Sequence, residues 1–542
     1  MALLMLPVQA GASVDPASAL HAYARARLAD SDGAPGVALA GYRQALASDP
    51  ASLDVARRSY LHALVSGDMP LAMQSAVLLD ANGILPRDGT LLFICNALNR
   101  KDWRAARQFT DRLASESNFA FLAPIIRSWI SLGEGHYVPP ALDTSDRFAS
   151  LARRYVDEHI AFQSLARGDL KEGGAAVNRA LALRTVDLAE LRISFAAQLA
   201  ARGAKVQALT LLPEGEANYA KARAEIMRGK GSGQPGAPLA PRQGFGRLLA
   251  RLAVDISSDG VTRLLGIRLA RIAAFANPEG ADAHIALAQL LTESDHGGYA
   301  VVEAHRVPAS GWFGALGQAI LVDALNETGD QAGAVALARA LAAVPGADAE
   351  RQVRLGRLLA QAKDFSGAVE AFHAAQSHYA ADAVPWALLL FEGSALEQAD
   401  RWQEARATLE RAAKLAPNEA VLLNYLGYAQ IERRQNVEAA LALLKKASAL
   451  KPDDSSITDS LGWAQFVTGN VEQAVPVLER AAASAPADVT INEHLGDALW
   501  AAGRRYEARY AWRAAAVFAE GETAVRLAAK TKEGMKPEYA AP

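Results

Sequence analysis

Small and apolar positions recur through the C-terminal part of this chain at the spacing of a helical hairpin. Gly393, Gly427, Gly462 and Gly496 fall 34, 35 and 34 residues apart. Ala405, Ala440, Ala474 and Ala508 move in steps of 35, 34 and 34, as do Ala412, Ala447, Ala481 and Ala515, while Pro417, Pro452 and Pro486 close three of the units. A period of about 34 residues with small side chains at fixed offsets predicts pairs of antiparallel helices stacked into a solenoid. The reason is steric. Glycine in the first helix and alanine in the second let two backbones approach, and proline stops the second helix before the next unit.

These units resemble tetratricopeptide repeats, whose pattern runs Leu-Gly, Ala, an aromatic or Leu, Ala, Pro. Here it reads Leu461-Gly462, Ala474, Leu478, Ala481, Pro486, and in the final unit Leu495-Gly496, Ala508, Trp512, Ala515 without the proline. Leu355-Gly356, Ala368, Phe372 and Ala375 carry it one unit before Gly393. The resemblance implies an all-α, right-handed superhelical solenoid of about fourteen antiparallel pairs. It also implies a protein-interaction scaffold, because such arrays present an extended concave surface. The wider layout resembles exported tetratricopeptide proteins of proteobacteria.

The registers weaken upstream but persist. Ala38, Tyr42, Ala45 and Pro50 hold a second helix, and Gly67-Asp68, Asp102-Trp103, Gly168-Asp169, Gly203 and Gly329-Asp330 mark turns within pairs. Pro139-Pro140 breaks the least regular stretch, 117–150. The run from Gly229 to Gly246, with Pro235, Pro238 and Pro241, reads as a linker or loop. The expected organisation is a degenerate N-terminal array over 14–228, a linker over 229–246 and degenerate pairs over 247–348. A well-defined array over 349–518 and a capping helix with a tail over 519–542 complete it.

Composition narrows the class. Among 542 residues, 51% are hydrophobic and only 7% aromatic, which suits thin helical layers. Lys and Arg total 56 against 59 Asp and Glu, so no basic excess is available to neutralise phosphates, and a nucleic-acid footprint is not expected. The single cysteine, Cys95, excludes an intramolecular disulfide or a cysteine zinc cluster and reads as a buried, inert thiol. Residues 1–13 form an apolar leader whose Ala10-Gly11-Ala12 fits the small-residue cleavage rule of a truncated signal peptide. Export to the periplasm or cell envelope is therefore expected, with a cytoplasmic location as the alternative. No later segment has the apolar length of a membrane span.

Motifs of chemistry are few. Gly231-Ser232-Gly233-Gln234-Pro235-Gly236 matches G-x-G-x-x-G, yet its prolines and the lack of a preceding strand pattern deny it a dinucleotide fold. His494 and Asp497 lie three apart on one predicted helix, as an acid–base pair or half a metal site would, but the expected reading is a polar helix surface. His159, His284, His296, His305, His373 and His378 lack ligand spacing and read as surface or capping residues. No cofactor, metal or catalytic set is expected.

The resemblance places positions five, nine and twelve of each first helix on the concave side. In the last three units this gives a protein-binding groove of Asn424, Tyr428, Asp459, Trp463, Phe466, Glu493, Asp497 and Trp500. Such a wall is acidic and aromatic, and suits a partner segment with basic residues flanking apolar ones. Arg411, Lys414, Lys445, Lys446, Arg509 and Arg513 fall on the expected outer face. The functional expectation is a noncatalytic scaffold in envelope assembly. The alternatives are a cytoplasmic assembly or secretion chaperone and an enzyme with its site in 117–246.

Overall fold

The computed structural model describes residues 16–32, 34–116, 118–141, 149–182, 189–229, 236–257 and 260–539. The expected leader over 1–13 and residues 230–235, which hold most of the G-x-G-x-x-G match, lie outside them. Among the described residues there are 29 α-helices, two short 3-10 turns and no strand. The chain divides into two compact units, Met1–Ala347 and Asp348–Pro542.

The second unit is the regular one. Its pairs are Ala349–Gln361 with Phe365–Gln376, Trp386–Gln398 with Trp402–Leu415, and Ala420–Glu432 with Val437–Leu450. Ser455–Val467 with Val471–Ser484 and Val489–Ala501 with Arg505–Ala516 follow, and Gly521–Glu533 packs on the last of them. The glycines chiefly face larger side chains, although Gly427 also lies close to the Ala440 carbonyl oxygen. Each makes room for a large residue four positions after the first alanine of its unit. A Cβ on Gly393 would lie 2.6 Å from Leu409, on Gly427 2.9 Å from Leu444, and on Gly462 2.6 Å from Leu478. Gly356 and Gly496 likewise lie against the rings of Phe372 and Trp512. The turn inside each pair uses left-handed backbone, at two residues, Arg434 and Asn436, in the third pair and at one in the others. Gly469 and Gly503 supply it at φ 86° and 82°, and Lys363 and Asp400 adopt it at 61° and 58°.

The first unit departs from a simple stack. Eight of its pairs follow the expected hairpin order, whereas Ala123–Gly133 and Ala217–Met227 stand without a hairpin partner. The stretch read as a linker over 229–246 is helical from Pro241. Pro241 suits a first turn, and the Gln243 side chain accepts from the backbone N–H of Ala240 at 2.8 Å. Pro241–Ile256 then pairs with Gly260–Ala276, and the hairpin packs against helices far away in sequence. Pro241–Ile256 touches Gly89–Asn99, Ala123–Gly133 and Ala149–Ala166, while Gly260–Ala276 touches Leu53–Ser66 and Gly89–Asn99. Residues 244–250 are buried without a break, the signature of a helix covered on all sides. Gly244 and Gly246, read as linker glycines, are packing residues: Gly244 lies against the Trp129 indole, and Gly246 against Ala273, Ala276 and Asn277.

Burying this hairpin buries Arg247 and Arg271 and half-buries Arg268, and each meets an acceptor. Arg247, 4% exposed, bonds Glu158 at 2.9 Å, Glu190 at 2.9 Å and the Ser194 hydroxyl at 3.1 Å. Arg268 pairs with Asp88 at 3.1 Å, which also accepts from Tyr60 at 2.8 Å. Arg271 donates to the carbonyls of Leu64 at 3.1 Å and Val65 at 2.8 Å, capping the C-terminal end of Leu53–Ser66 with positive charge. Its remaining nitrogen pairs with Glu303, which also bonds His284 Nδ1 at 2.7 Å. Cys95 is buried as expected. Its Sγ donates to the carbonyl of Ile272 at 3.6 Å, and burial pushes the thiol well above its ordinary value.

Two expected outcomes follow. Gly244→Ala forces a Cβ into Trp129 and should cost about 1–3 kcal/mol by overpacking. Hydrogen exchange should then lose protection over 123–133 and 241–256 but keep it over 349–516; unchanged protection in the first unit contradicts the packing. The second outcome concerns Glu303. Burial alone would raise its pKa, but the hydrogen bond from His284 and the Arg271 charge outweigh that and hold it at about 2. A depressed carboxylate adds stability above its unfolded value of about 4.3 and loses it as pH falls toward the folded value. The stability gap between wild type and Glu303→Gln in urea should therefore be larger by about 1 kcal/mol or more at about pH 6 than at about pH 3.

Candidate functional site

The residues expected to line an acidic groove sit on successive first helices of the second unit, but most are not free. Asp459, 6% exposed, bonds His494 Nδ1 at 2.9 and 3.1 Å. The imidazole stacks on Trp463 with centroids 3.9 Å apart and planes at 12°, and the Trp463 indole N–H donates to Glu432 at 3.2 Å. Phe466, half-buried, tilts against Trp463 at 5.1 Å. His494 is thus neither a surface residue nor the partner of Asp497, as its spacing suggested.

Asp497 and Glu493 face the capping helix. Lys530, fully buried, reaches both Asp497 oxygens at 2.8 Å and Glu493 at 2.6 Å. Arg526 adds two bonds to Glu493 at 2.8 Å, and Trp512 Nε1 donates to Asp497 at 2.9 Å. The consequences for protonation differ. Burial raises the Asp497 pKa despite Lys530, whereas the bonds from Arg526 and Lys530 overcome burial and lower that of Glu493. Trp500 packs beside Trp512 at 5.5 Å, under Gly534 and beneath the guanidiniums of Arg505 and Arg509 at 5.3 and 5.0 Å. Arg509, expected on the outer face, also donates to the Thr531 carbonyl at 3.0 Å. The expectation that Asp459, Trp463, Glu493, Asp497 and Trp500 form one open patch is therefore corrected. The last pair would otherwise expose an apolar end, so a helix must cover it, and that helix takes up the acids.

What remains open is a depression of about 340 Å³. Tyr428 and Glu493 of the expected set line it with His494, Val489, Thr490, Phe518, Glu520, Thr523 and Arg526. Phe518 is 58% exposed, an unusual state for a phenyl ring, and precedes the capping helix. Tyr428 is half-buried, and burial followed by the Glu432 and Asp459 charges raises its pKa. Asn424, also half-buried, keeps a buried Oδ1 without a hydrogen-bond partner. Sequence reasoning missed Phe518, Thr523 and Arg526. The available signal was Arg526 and Lys530, an i, i+4 pair of cations matching Glu493 and Asp497, an i, i+4 pair of anions.

The described residues of 117–246 are mostly helical. His159, expected at the surface, is fully buried and accepts from Trp129 at 2.9 Å; burial and then the Arg247 charge lower its pKa to about 3. His284 is 2% exposed, held between Glu303 and the Pro278 carbonyl, so it too leaves the expected surface set. Among the described residues, no group of three or more His, Cys, Asp or Glu is placed to hold a metal ion. No helix among them is long and apolar enough to cross a membrane.

Repeat registers and stacked antiparallel pairs together define an all-α, tetratricopeptide-like repeat protein. The sequence matches no protein-family model and no curated protein. Among solved structures, MamA AMB-1 shares 22% identity over 30% of this chain and 95% of its own, with a TM-score of 0.27. MamA 41-end from Desulfovibrio magneticus RS-1 shares 18% identity over 31% of this chain and 94% of its own, with a TM-score of 0.29. The fold assignment rests on the registers and helix pairs above, not on these scores.

The capping charges are open to test. Lys530→Met leaves Asp497 and part of Glu493 buried without a counter-ion and should destabilise by about 3–5 kcal/mol. Adding Asp497→Leu should recover part of the loss, because it removes the stranded charge. Urea unfolding followed by tryptophan fluorescence measures both. A double variant less stable than Lys530→Met shows that a stranded Asp497 charge is not what makes the single change costly.

Proposed function

We propose that the chain is a noncatalytic scaffold whose second unit binds a protein segment at the depression between Tyr428, His494 and Phe518. The observation that carries this reading is the exposed Phe518 ring on a concave pocket whose floor is held rigid by the Trp463–His494–Asp459 stack. A preformed floor spares the receptor an ordering cost on binding. The partner's chemistry follows from the charge that remains. In the lining of the depression Glu493 and Glu520 outnumber Arg526, so an apolar side chain flanked by Lys or Arg complements it. A role in the cell envelope rests on the apolar leader and Ala10-Gly11-Ala12 alone.

A displayed random-peptide library panned on the full chain tests the site. Enriched sequences should place Lys or Arg beside an aromatic or aliphatic residue. Phe518→Ala should weaken the selected peptides roughly ten-fold or more, about 1.4 kcal/mol, without changing stability. Tyr506, 73% exposed and outside the depression, supplies the control. Equal losses from Tyr506→Ala and Phe518→Ala refute the placement.

A further inference from the structure

The first unit contains a cavity of about 170 Å³ beside the buried Arg247. Its walls include Phe162 of Ala149–Ala166, Ser194 and Gln198 of Ala189–Ala201, Gln243 and Arg247 of the buried hairpin, and the segments holding Asp282 and Trp312-Phe313. The volume lies well below the roughly 300 Å³ at which drug-sized pockets begin, so it suits a group of a few heavy atoms. The walls combine aromatic rings with carboxylate oxygens. Trp312 is anchored by its indole N–H on Glu225, and Phe162 already carries the Arg247 guanidinium 4.5 Å over its ring.

Charge around the cavity is unbalanced. The charged side chains of its lining are Arg247, Asp282 and Glu279, one more carboxylate than guanidinium, and Arg247 is already engaged by Glu158 and Glu190 behind the wall. Arg247 binds Glu158 and Glu190 at 2.9 Å but reaches Asp282 only at 3.4 Å, so Asp282 is the least compensated of its partners. Exposed Glu279 is the other negative charge of the lining. An anion would meet Asp282 and Glu279, and a neutral apolar group would leave the Asp282 charge under-compensated.

We propose that this cavity binds a small organic cation of the guanidinium or alkylammonium class, held by Asp282 and by the aromatic faces of Trp312 and Phe313. Cations stack favourably on such faces once partly desolvated, and a charge-assisted bond to Asp282 fixes their orientation. The state of Asp282 fits: burial, and then the neighbouring Glu190, push its carboxyl above the ordinary range even with Arg247 nearby. An incoming cation relieves that deficit. The same chemistry has two sources, a free small molecule or a basic side chain of a partner segment.

Butylguanidinium and its neutral isostere butylurea, titrated calorimetrically into the full chain, separate charge from shape. Butylguanidinium should bind at least about ten-fold more tightly. Asp282→Asn should remove most of that preference. If Asp282→Asn does not fold, Phe313→Ala and Glu279→Gln serve instead, each expected to weaken butylguanidinium about three-fold or more while butylurea changes less for Glu279→Gln. A blocked Gly-Arg-Gly peptide that competes with butylguanidinium identifies a socket for a side chain; failure to compete identifies a site for a free cation. Equal binding of butylurea, or undiminished binding in Asp282→Asn, overturns the proposal.

Discussion

The first unit depends on the pairing of Arg247. A guanidinium sealed inside a helical array loses its hydration, and only close carboxylates with additional hydrogen bonds offset that loss. Glu158, Glu190 and Ser194 provide them from two helices of the N-terminal array. Because Arg247 rides on a helix that also touches Gly89–Asn99 and Ala123–Gly133, this one interaction fixes how segments over a hundred residues apart meet. Arg268 and Arg271 repeat the device on the second helix of the hairpin, one through Asp88 and one through the open end of Leu53–Ser66. Contacts in the first unit are consequently not limited to neighbouring repeats, and its cooperativity should exceed that of a nearest-neighbour stack.

The second unit applies the same chemistry at its end. Glu493 and Asp497 project from a first helix, and the capping helix brings Arg526 and Lys530 onto them. In each unit, acids on first helices are neutralised by cations from a helix that is not their hairpin partner. The apolar contacts cover the array, while the ion pairs select which helix covers it and in what register. A buried carboxylate left without its partner costs far more than a mismatched methyl, so misplacement is penalised steeply.

The extent to which this was legible in the sequence follows from the range of each interaction. The registers at Gly393 to Gly496 and Ala405 to Ala508 report contacts inside one hairpin, and they lead directly to the pairs observed. The detail they concealed is that each glycine accommodates Leu409, Leu444, Leu478 or Trp512 rather than an alanine. The hairpin over 241–276 was obscured because glycine and proline carry two meanings. Pro241 starts a helix, and Gly244 and Gly246 admit close neighbours, yet in a string they resemble a loop. Of the expected groove, Tyr428 and Glu493 do reach the open depression, whereas Asp497 and Trp500 lie beneath the cap. His159, His284 and His494 were misplaced on the surface for a related reason: each is held by a residue at least nineteen positions away, Trp129, Glu303 and Asp459 respectively.

Internal neutralisation also constrains what a partner can gain. A basic segment competing directly for Glu493 or Asp497 would have to displace Arg526 and Lys530 and uncover the apolar end of the last pair. The stranded charges alone would cost about 3–5 kcal/mol, comparable to a large share of a micromolar binding energy of about 8 kcal/mol. Occupying the depression beside them requires no such displacement. There the partner meets Phe518, Thr523 and the edge of His494 while the ion pairs stay closed. Long-range attraction from the residual negative charge can still speed the encounter, since steering acts through the field and does not require contact with each acid. At the proposed site, apolar contact at Phe518 would then govern how long a partner stays, and the acids how fast it arrives.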